Sequence, residues 1–163
     1  MIIVGSFSCK QQQSSEPETD YGTVEINTID DFLENYDLRM HVTFEPTGIG
    51  FIINVSGNKL YYVTVNVNRE NMLDDLTEQH TLSEDEMKTL EEYCNYLRSG
   101  YELKEAKGFD GIEVNIWLDD TCHYLRFGDQ NDTIDEMVLF LSEFLPKDVS
   151  HIDAMKETKL YQE

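Results

Sequence analysis

The 163-residue chain carries 33 acidic and 12 basic residues, which gives a formal charge of −21. Such a charge repels nucleic-acid phosphates and anionic lipid surfaces, so direct binding of DNA or RNA is not expected. Hydrophobic residues make up 40% of the chain, a proportion typical of a folded domain that needs no disulfide to hold its core. A basic protein partner or a cation would fit the charge, whereas a soluble, self-repelling surface would explain it without any partner.

The chain begins with a short apolar run, Met-Ile-Ile-Val-Gly-Ser-Phe-Ser, which ends at Cys9 and is followed by polar residues. This arrangement resembles the leader of bacterial lipoproteins, in which the cysteine becomes the lipidated N-terminus after cleavage. The resemblance implies a lipid on Cys9 and a protein anchored to a membrane, facing the periplasm or the cell surface. The alternative is a cytoplasmic protein in which this cysteine occurs by chance. Residues 1–22 are accordingly predicted to be a leader and a flexible linker.

Residues 23–146 are predicted to form a single acidic α+β domain, followed by a polar C-terminal tail over residues 147–163. A helix start at residues 28–31 precedes a strand at 38–44, in which apolar residues alternate without a break. Two further strand-like runs, 50–55 and 60–67, flank Gly57 and Asn58, a strong signal for a tight hairpin turn. Residues 69–82 are predicted to be an irregular or weakly helical connection.

The second half of the domain contains two long amphipathic helices. Ser83 and Glu86 fit a capping box, and Gly100 supplies a helix stop. A second hairpin is predicted over residues 112–127, and a helix capped from Thr133 ends before Pro146. The predicted order is β-β-β-α-β-β-α, an antiparallel sheet of about five strands with the two long helices packed on one face.

The titratable residues form no recognisable catalytic set. Cys122 and His123 are neighbours on a predicted strand, so their side chains point to opposite faces and cannot pair. The acidic stretch that begins at Asp129 lacks the glycine and the glutamate that a calcium-binding EF-hand loop requires. The three cysteines do not have the spacing of zinc ligands. We therefore expect a protein that is not an enzyme and that needs neither a metal nor another cofactor.

The second hairpin carries the only tryptophan of the chain. With a two-residue turn at Asp120 and Thr121, Trp117 would face Tyr124 across the hairpin. One face would be core, and the other would present the candidate partner-binding residues Glu113, Asn115, Trp117, Tyr124 and Arg126. Tryptophan, tyrosine and arginine are enriched at binding hot spots. The alternative is that the short first helix or the C-terminal tail covers this face, so that Trp117 is a packing residue.

A second candidate surface is acidic and comprises Asp74, Asp75, Glu84, Glu91 and Glu92. The domain resembles the small acidic immunity proteins of bacterial competition systems in its class, although no family motif is present. The resemblance implies a non-enzymatic protein that neutralises a basic partner such as a toxin, because a dense negative field accelerates association with a cationic protein. The alternative is an envelope lipoprotein with a structural or ligand-binding role.

Overall fold

The computed structural model describes residues 29–66, 77–101, 111–128 and 131–160. Within these ranges the strands are β1 (Leu38–Phe44), β2 (Ile49–Ser56), β3 (Lys59–Asn66), β4 (Thr77–Thr81), β5 (Ile112–Leu118) and β6 (Thr121–Arg126). The helices are α1 (Ile29–Glu34), α2 (Glu84–Ser99), α3 (Asp132–Ser142), α4 (Lys147–Ser150) and α5 (Ile152–Leu160). The predicted leader with Cys9, and the acidic residues Asp74 and Asp75, lie outside the described residues.

The strands form one antiparallel sheet in the order β4-β3-β2-β1-β5-β6. The α+β class with an antiparallel sheet is therefore confirmed, and in the described ranges the sheet has six strands where about five are predicted. The additional strand is β4, which lies in a segment predicted to be irregular or weakly helical. Its sequence, Thr-Glu-Gln-His-Thr, has no apolar alternation. Pairing with β3, with a register shift between Leu60 and Tyr61, is what makes this segment a strand.

The period of two in each strand divides the sheet into two faces. We call inner the face that carries Met40, Ile53 and Ile116 of the three central strands, all of which are fully buried. These side chains share one core with residues of α2 and α3, namely Leu90, Cys94, Leu97, Ile134, Met137, Val138 and Leu141. Each large apolar side chain buried in this way stabilises the fold by about 1.5–3 kcal/mol relative to leaving it in water. The two long helices therefore pack on the inner face.

Residues 147–160, part of the segment predicted to be a polar tail, form α4 and α5 in the structure. Met155 of α5 is fully buried and belongs to the inner core. Ile152, three residues earlier, is 4% exposed, and this spacing places both side chains on one side of the helix. Two apolar residues thus dock α5 although most of its residues are polar.

Several local signals act as predicted. Ser56 pairs with Lys59, so that Gly57 and Asn58 form the turn of the first hairpin. The capping box of α2 is also confirmed, because the Ser83 hydroxyl accepts from the backbone N–H of Glu86 while the Glu86 carboxylate accepts from the backbone N–H of Ser83.

The start of α3 differs from the prediction. Its N-cap is Asn131 and not Thr133, and the Asn131 side chain accepts from the backbone N–H of Ile134 at 3.2 Å. The Asn131 amide also donates to the hydroxyl of Tyr96 on α2 at 3.0 Å. This contact between two helices selects the earlier cap, and it is not visible in the local sequence.

We call the opposite side of the sheet the outer face. Helix α1 covers the part of this face formed by β2 and β3. Phe32 of α1 is fully buried there, in a second apolar cluster with Ile52, Tyr61, Val63 and Val65. On one side of this part, the outer face continues over β1, β5 and β6, and on the other side, within the described strands, it ends at β4.

Two polar side chains of the sheet fix the end of α1. Arg39 donates through Nη2 to the carbonyl oxygens of Phe32 and Leu33, at 2.9 and 2.8 Å. The buried Asn54 amide also donates to Phe32, and its oxygen accepts from Arg39 Nε at 2.9 Å. The Arg39 guanidinium lies 3.9 Å from the centre of the Tyr36 ring. These contacts satisfy carbonyl groups that the last turn of a helix leaves without intrahelical partners, and they hold α1 against the sheet.

Candidate functional site

The hairpin of β5 and β6 turns at Asp119 and Asp120, whose φ angles are 49° and 62°. Leu118 pairs with Thr121 and Trp117 pairs with Cys122. The predicted turn at Asp120 and Thr121 is therefore wrong by one residue, and Tyr124 does not lie directly opposite Trp117. Aspartate tolerates the left-handed backbone conformation that a two-residue hairpin turn requires at both positions.

The shift changes the partners across the hairpin but not the face on which each side chain lies. Glu113 pairs with Arg126, Asn115 with Tyr124 and Trp117 with Cys122. The structure thus brings together all five residues predicted for this surface and adds Cys122. We call this group the hairpin face: Glu113, Asn115, Trp117, Cys122, Tyr124 and Arg126.

Tyr124 is the most prominent side chain of the hairpin face. It is 54% exposed, and its hydroxyl donates to Glu113 Oε1 at 2.7 Å. This hydrogen bond raises the pKa of Tyr124 above its usual value, because ionisation would place two negative charges side by side. The contact keeps the ring over the hairpin while most of its surface remains in solvent.

Trp117 lies on β5, between Cys122 of β6 on one side and Arg39 of β1 on the other. It is half-buried, and its neighbour on β1 is Arg39, which holds the end of α1. The alternative prediction places the first helix or the C-terminal tail over the hairpin. In the described residues α1 covers the β2–β3 part of the sheet instead, and Tyr124 is exposed. Sequence reasoning missed the position of Arg39 beside Trp117, because the pairing of β1 with β5 joins segments that are far apart in the chain.

A shallow depression of about 380 Å³ adjoins the hairpin face at one end of the sheet. Glu113 and Arg126 of the hairpin face line it, together with Glu45 and Pro46 from the turn after β1. It therefore combines two carboxylates with one guanidinium beside the exposed Tyr124, an arrangement suited to contact with polar or charged groups of a partner.

Strand β6 is the last strand of the sheet in the described part of the chain. The backbone N–H of Phe127 donates to the carbonyl of Ile112 at 3.0 Å. Because backbone groups alternate in direction along an antiparallel strand, those of Cys122 and Tyr124 point away from β5. Among the described strands the hairpin face thus borders an edge of the sheet, with the backbone groups of Cys122 and Tyr124 directed away from β5.

The three described acidic residues of the second predicted surface lie on α2. Glu84, Glu91 and Glu92 are exposed, and the helix that carries them packs against the inner face of the sheet. The hairpin face belongs to the outer face. The structure therefore separates the two predicted surfaces, which do not form one continuous site.

Cys122 and His123 do not pair. The Cys122 sulfur lies 4.0 Å from Asn115 Oδ1 on the outer side. On the other side, the Tyr101 hydroxyl lies 3.0 Å from His123 Nδ1. Partial burial lowers the pKa of His123, and desolvation raises the pKa of Tyr101. Neutral forms of both groups are thus favoured in this contact.

The two described cysteines should react differently with alkylating agents. Cys122 is exposed, whereas burial raises the pKa of the Cys94 thiol to about 11. Because the thiolate is the nucleophile, iodoacetamide at pH 8 should label Cys122 readily and Cys94 only after unfolding. Peptide mapping by mass spectrometry with and without urea measures both rates. Equal labelling of the two thiols in the native protein would contradict the burial of Cys94.

The Cys94 thiol also makes the stability of the fold depend on pH. An unfolded thiol ionises near pH 8.5, so between that pH and about pH 11 the folded state binds the Cys94 proton more tightly than the unfolded state does. The free energy of unfolding should therefore decrease as the pH rises through this window.

Among the described residues no helix has the length and apolar character that crossing a membrane requires. No group of three or more histidine, cysteine or acidic side chains in the same ranges could hold a metal ion. No known family, curated protein or solved structure matches this chain.

Proposed function

We propose that the protein is a non-enzymatic binding protein of the immunity type, which neutralises a basic protein partner such as a bacterial toxin. The observation that carries the proposal is the hairpin face, where Tyr124 is 54% exposed beside Trp117 and Arg126. These three residue types dominate the energetics of protein interfaces. Tyr124 is held in place by Glu113, so little side-chain freedom would be lost when a partner binds.

The charge of the chain supports a cationic partner. A formal charge of −21 attracts a basic protein over distances of about a Debye length and thereby raises the association rate. The exposed carboxylates of α2 contribute to this field from the other side of the sheet. In this proposal the field accelerates encounter, and the aromatic contacts on the hairpin face determine how slowly the complex dissociates.

We further propose that a lipid on Cys9 anchors the protein at the envelope, where it would meet an incoming toxin. The alternative proposal is an envelope lipoprotein with a structural or ligand-binding role. The two are distinguished by whether a cationic protein encoded beside this gene binds the chain.

The test uses purified products of neighbouring genes that are predicted to be basic. We expect one of them to bind the full chain with an affinity that falls steeply between 50 and 200 mM NaCl. Tyr124→Ala should weaken this binding about 30-fold, which corresponds to the ~2 kcal/mol typical of an aromatic hot spot. Isothermal titration calorimetry measures both effects.

Ile49→Ala is the matched control, because Ile49 is also a large exposed apolar residue, 46% accessible, but lies on the inner side of the sheet. It should leave affinity within about twofold, as expected of a residue outside the interface. Tyr124→Phe separates the contribution of the aromatic ring to the affinity from that of the hydroxyl that donates to Glu113. Binding that is indifferent to both salt and Tyr124→Ala would refute the proposal.

A further inference from the structure

A second cavity, of about 160 Å³, lies on the inner side of the molecule between α2 and the ends of the central strands. Its apolar walls come from Leu38, Val55, Leu90 and Leu118, which belong to the core. We call it the α2 pocket. Each of these four side chains is no more than 5% exposed, so they close the inner end of an opening whose size suits a short unbranched aliphatic chain.

Two carboxylates, of Asp37 and Glu91, also line the α2 pocket. Asp37 Oδ2 accepts from the backbone N–H of Gly57 at 2.7 Å, which orients this carboxylate at the strand ends. Glu91 is exposed on α2. Neither carboxylate forms an ion pair with a basic side chain of the described residues.

Among the described residues that line the pocket, Arg98 is the one basic residue, and Asp119 already engages its guanidinium. Arg98 Nε and Nη2 donate to the two carboxylate oxygens of Asp119 at 2.5 and 3.2 Å. This contact raises the pKa of Arg98 and lowers the pKa of Asp119. With Arg98 neutralised in this way, the described lining of the pocket keeps an excess of negative charge from Asp37 and Glu91.

The combination of apolar walls with carboxylates fits a lysine side chain. Lysine has a flexible four-carbon stem and a compact ammonium group, and it can bury the stem along apolar surface while the charge remains near water and acidic groups. The α2 pocket adjoins the turn of the hairpin, because Leu118 and Arg98 line it and Arg98 contacts Asp119 of that turn. We propose that the pocket receives a lysine side chain of the cationic partner, which reaches it around this end of the sheet from the hairpin face. This inference rests on the proposed function for the identity of the partner, whereas the pocket can be tested without it.

The direct probe is n-butylammonium, an analogue of the lysine side chain, with n-butanol as the neutral control. In a titration followed by ¹H–¹⁵N correlation spectra, butylammonium should shift the amides of Gly57, Glu91 and Cys94 and saturate in the millimolar range. Butanol at equal concentration should shift them much less. Equal shifts with both probes, or non-saturating shifts over all acidic residues, would overturn the inference.

Substitutions on α2 test whether Glu91 is the carboxylate that binds the ammonium group. Glu91→Gln should weaken butylammonium binding about two- to fivefold, the usual range for a partly exposed ion pair. Glu92→Gln is the matched control, since Glu92 is the adjacent exposed residue of α2 and does not line the pocket. Equal effects of the two variants would also overturn the inference.

The same variants separate this inference from the proposed function. A cationic partner that binds wild type and Glu91→Gln equally well would overturn the lysine site and leave the proposed function standing. Specific, Glu91-dependent binding of butylammonium would support the pocket even if every basic neighbour fails to bind and the proposed function falls.

Discussion

Gly50→Ala is expected to be among the most destabilising single substitutions in this protein, with a loss of at least about 3 kcal/mol, at the upper end of overpacking effects. A Cβ atom at residue 50 would lie 2.0 Å from the carbonyl oxygen of Val42 on the neighbouring strand. Because the obstacle is backbone in the centre of the sheet, relief requires β1 and β2 to move apart. Urea unfolding followed by circular dichroism would measure the loss.

Gly100→Ala provides the control for this prediction. Gly100 follows α2 with a φ of 82°, and nothing lies within 4 Å of the place where its Cβ would be. Only the positive φ, combined with a ψ of 145°, should then matter, at a cost of about 1–3 kcal/mol. If Gly50→Ala were no more harmful than Gly100→Ala, the close approach of β1 and β2 would be wrong.

Asn54→Ala should have the second large effect, a loss of about 2–4 kcal/mol. Asn54 is fully buried, and it contacts both Phe32 of α1 and Arg39 of β1. Removing the amide leaves a cavity. It also leaves the carbonyl of Phe32 and the Nε of Arg39 without this partner, and a buried polar group that loses its partner costs about 1–3 kcal/mol. Thermal unfolding measures the total loss.

Asn54→Ala should release α1 from the sheet at a lower urea concentration or temperature than the one that unfolds the whole domain. Trp117 is the only tryptophan of the chain and pairs with Arg39 across β1 and β5. Its fluorescence emission should therefore change when Arg39 loses its contact with Asn54. Asn95→Ala is the control, because Asn95 is exposed on α2 and its loss should change stability by no more than about 0.5 kcal/mol. Equal melting temperatures for the two variants would contradict a stabilising role of the contacts that Asn54 makes with α1 and Arg39.

The sequence by itself determined the features that depend on neighbouring residues. The unbroken alternation from Leu38 to Phe44 specified a strand with one buried face, because successive side chains of a strand point in opposite directions. Gly57 and Asn58 specified a hairpin turn, and Ser83 with Glu86 specified the start of α2. The separation of Trp117 from the core followed from the same alternation, and a turn displaced by one residue did not alter it.

Only the tertiary structure decided the features that depend on distant pairing. The order of the strands places β1 between β2 and β5, and this brings Arg39 beside Trp117. Strand β4 has no apolar pattern of its own and forms by pairing with β3. Met155 joins the core from a polar segment because α5 packs against α3. The hairpin face could thus be predicted from local alternation, whereas its separation from the acids of α2 and the existence of the α2 pocket could not, because both arise where elements distant in the chain meet.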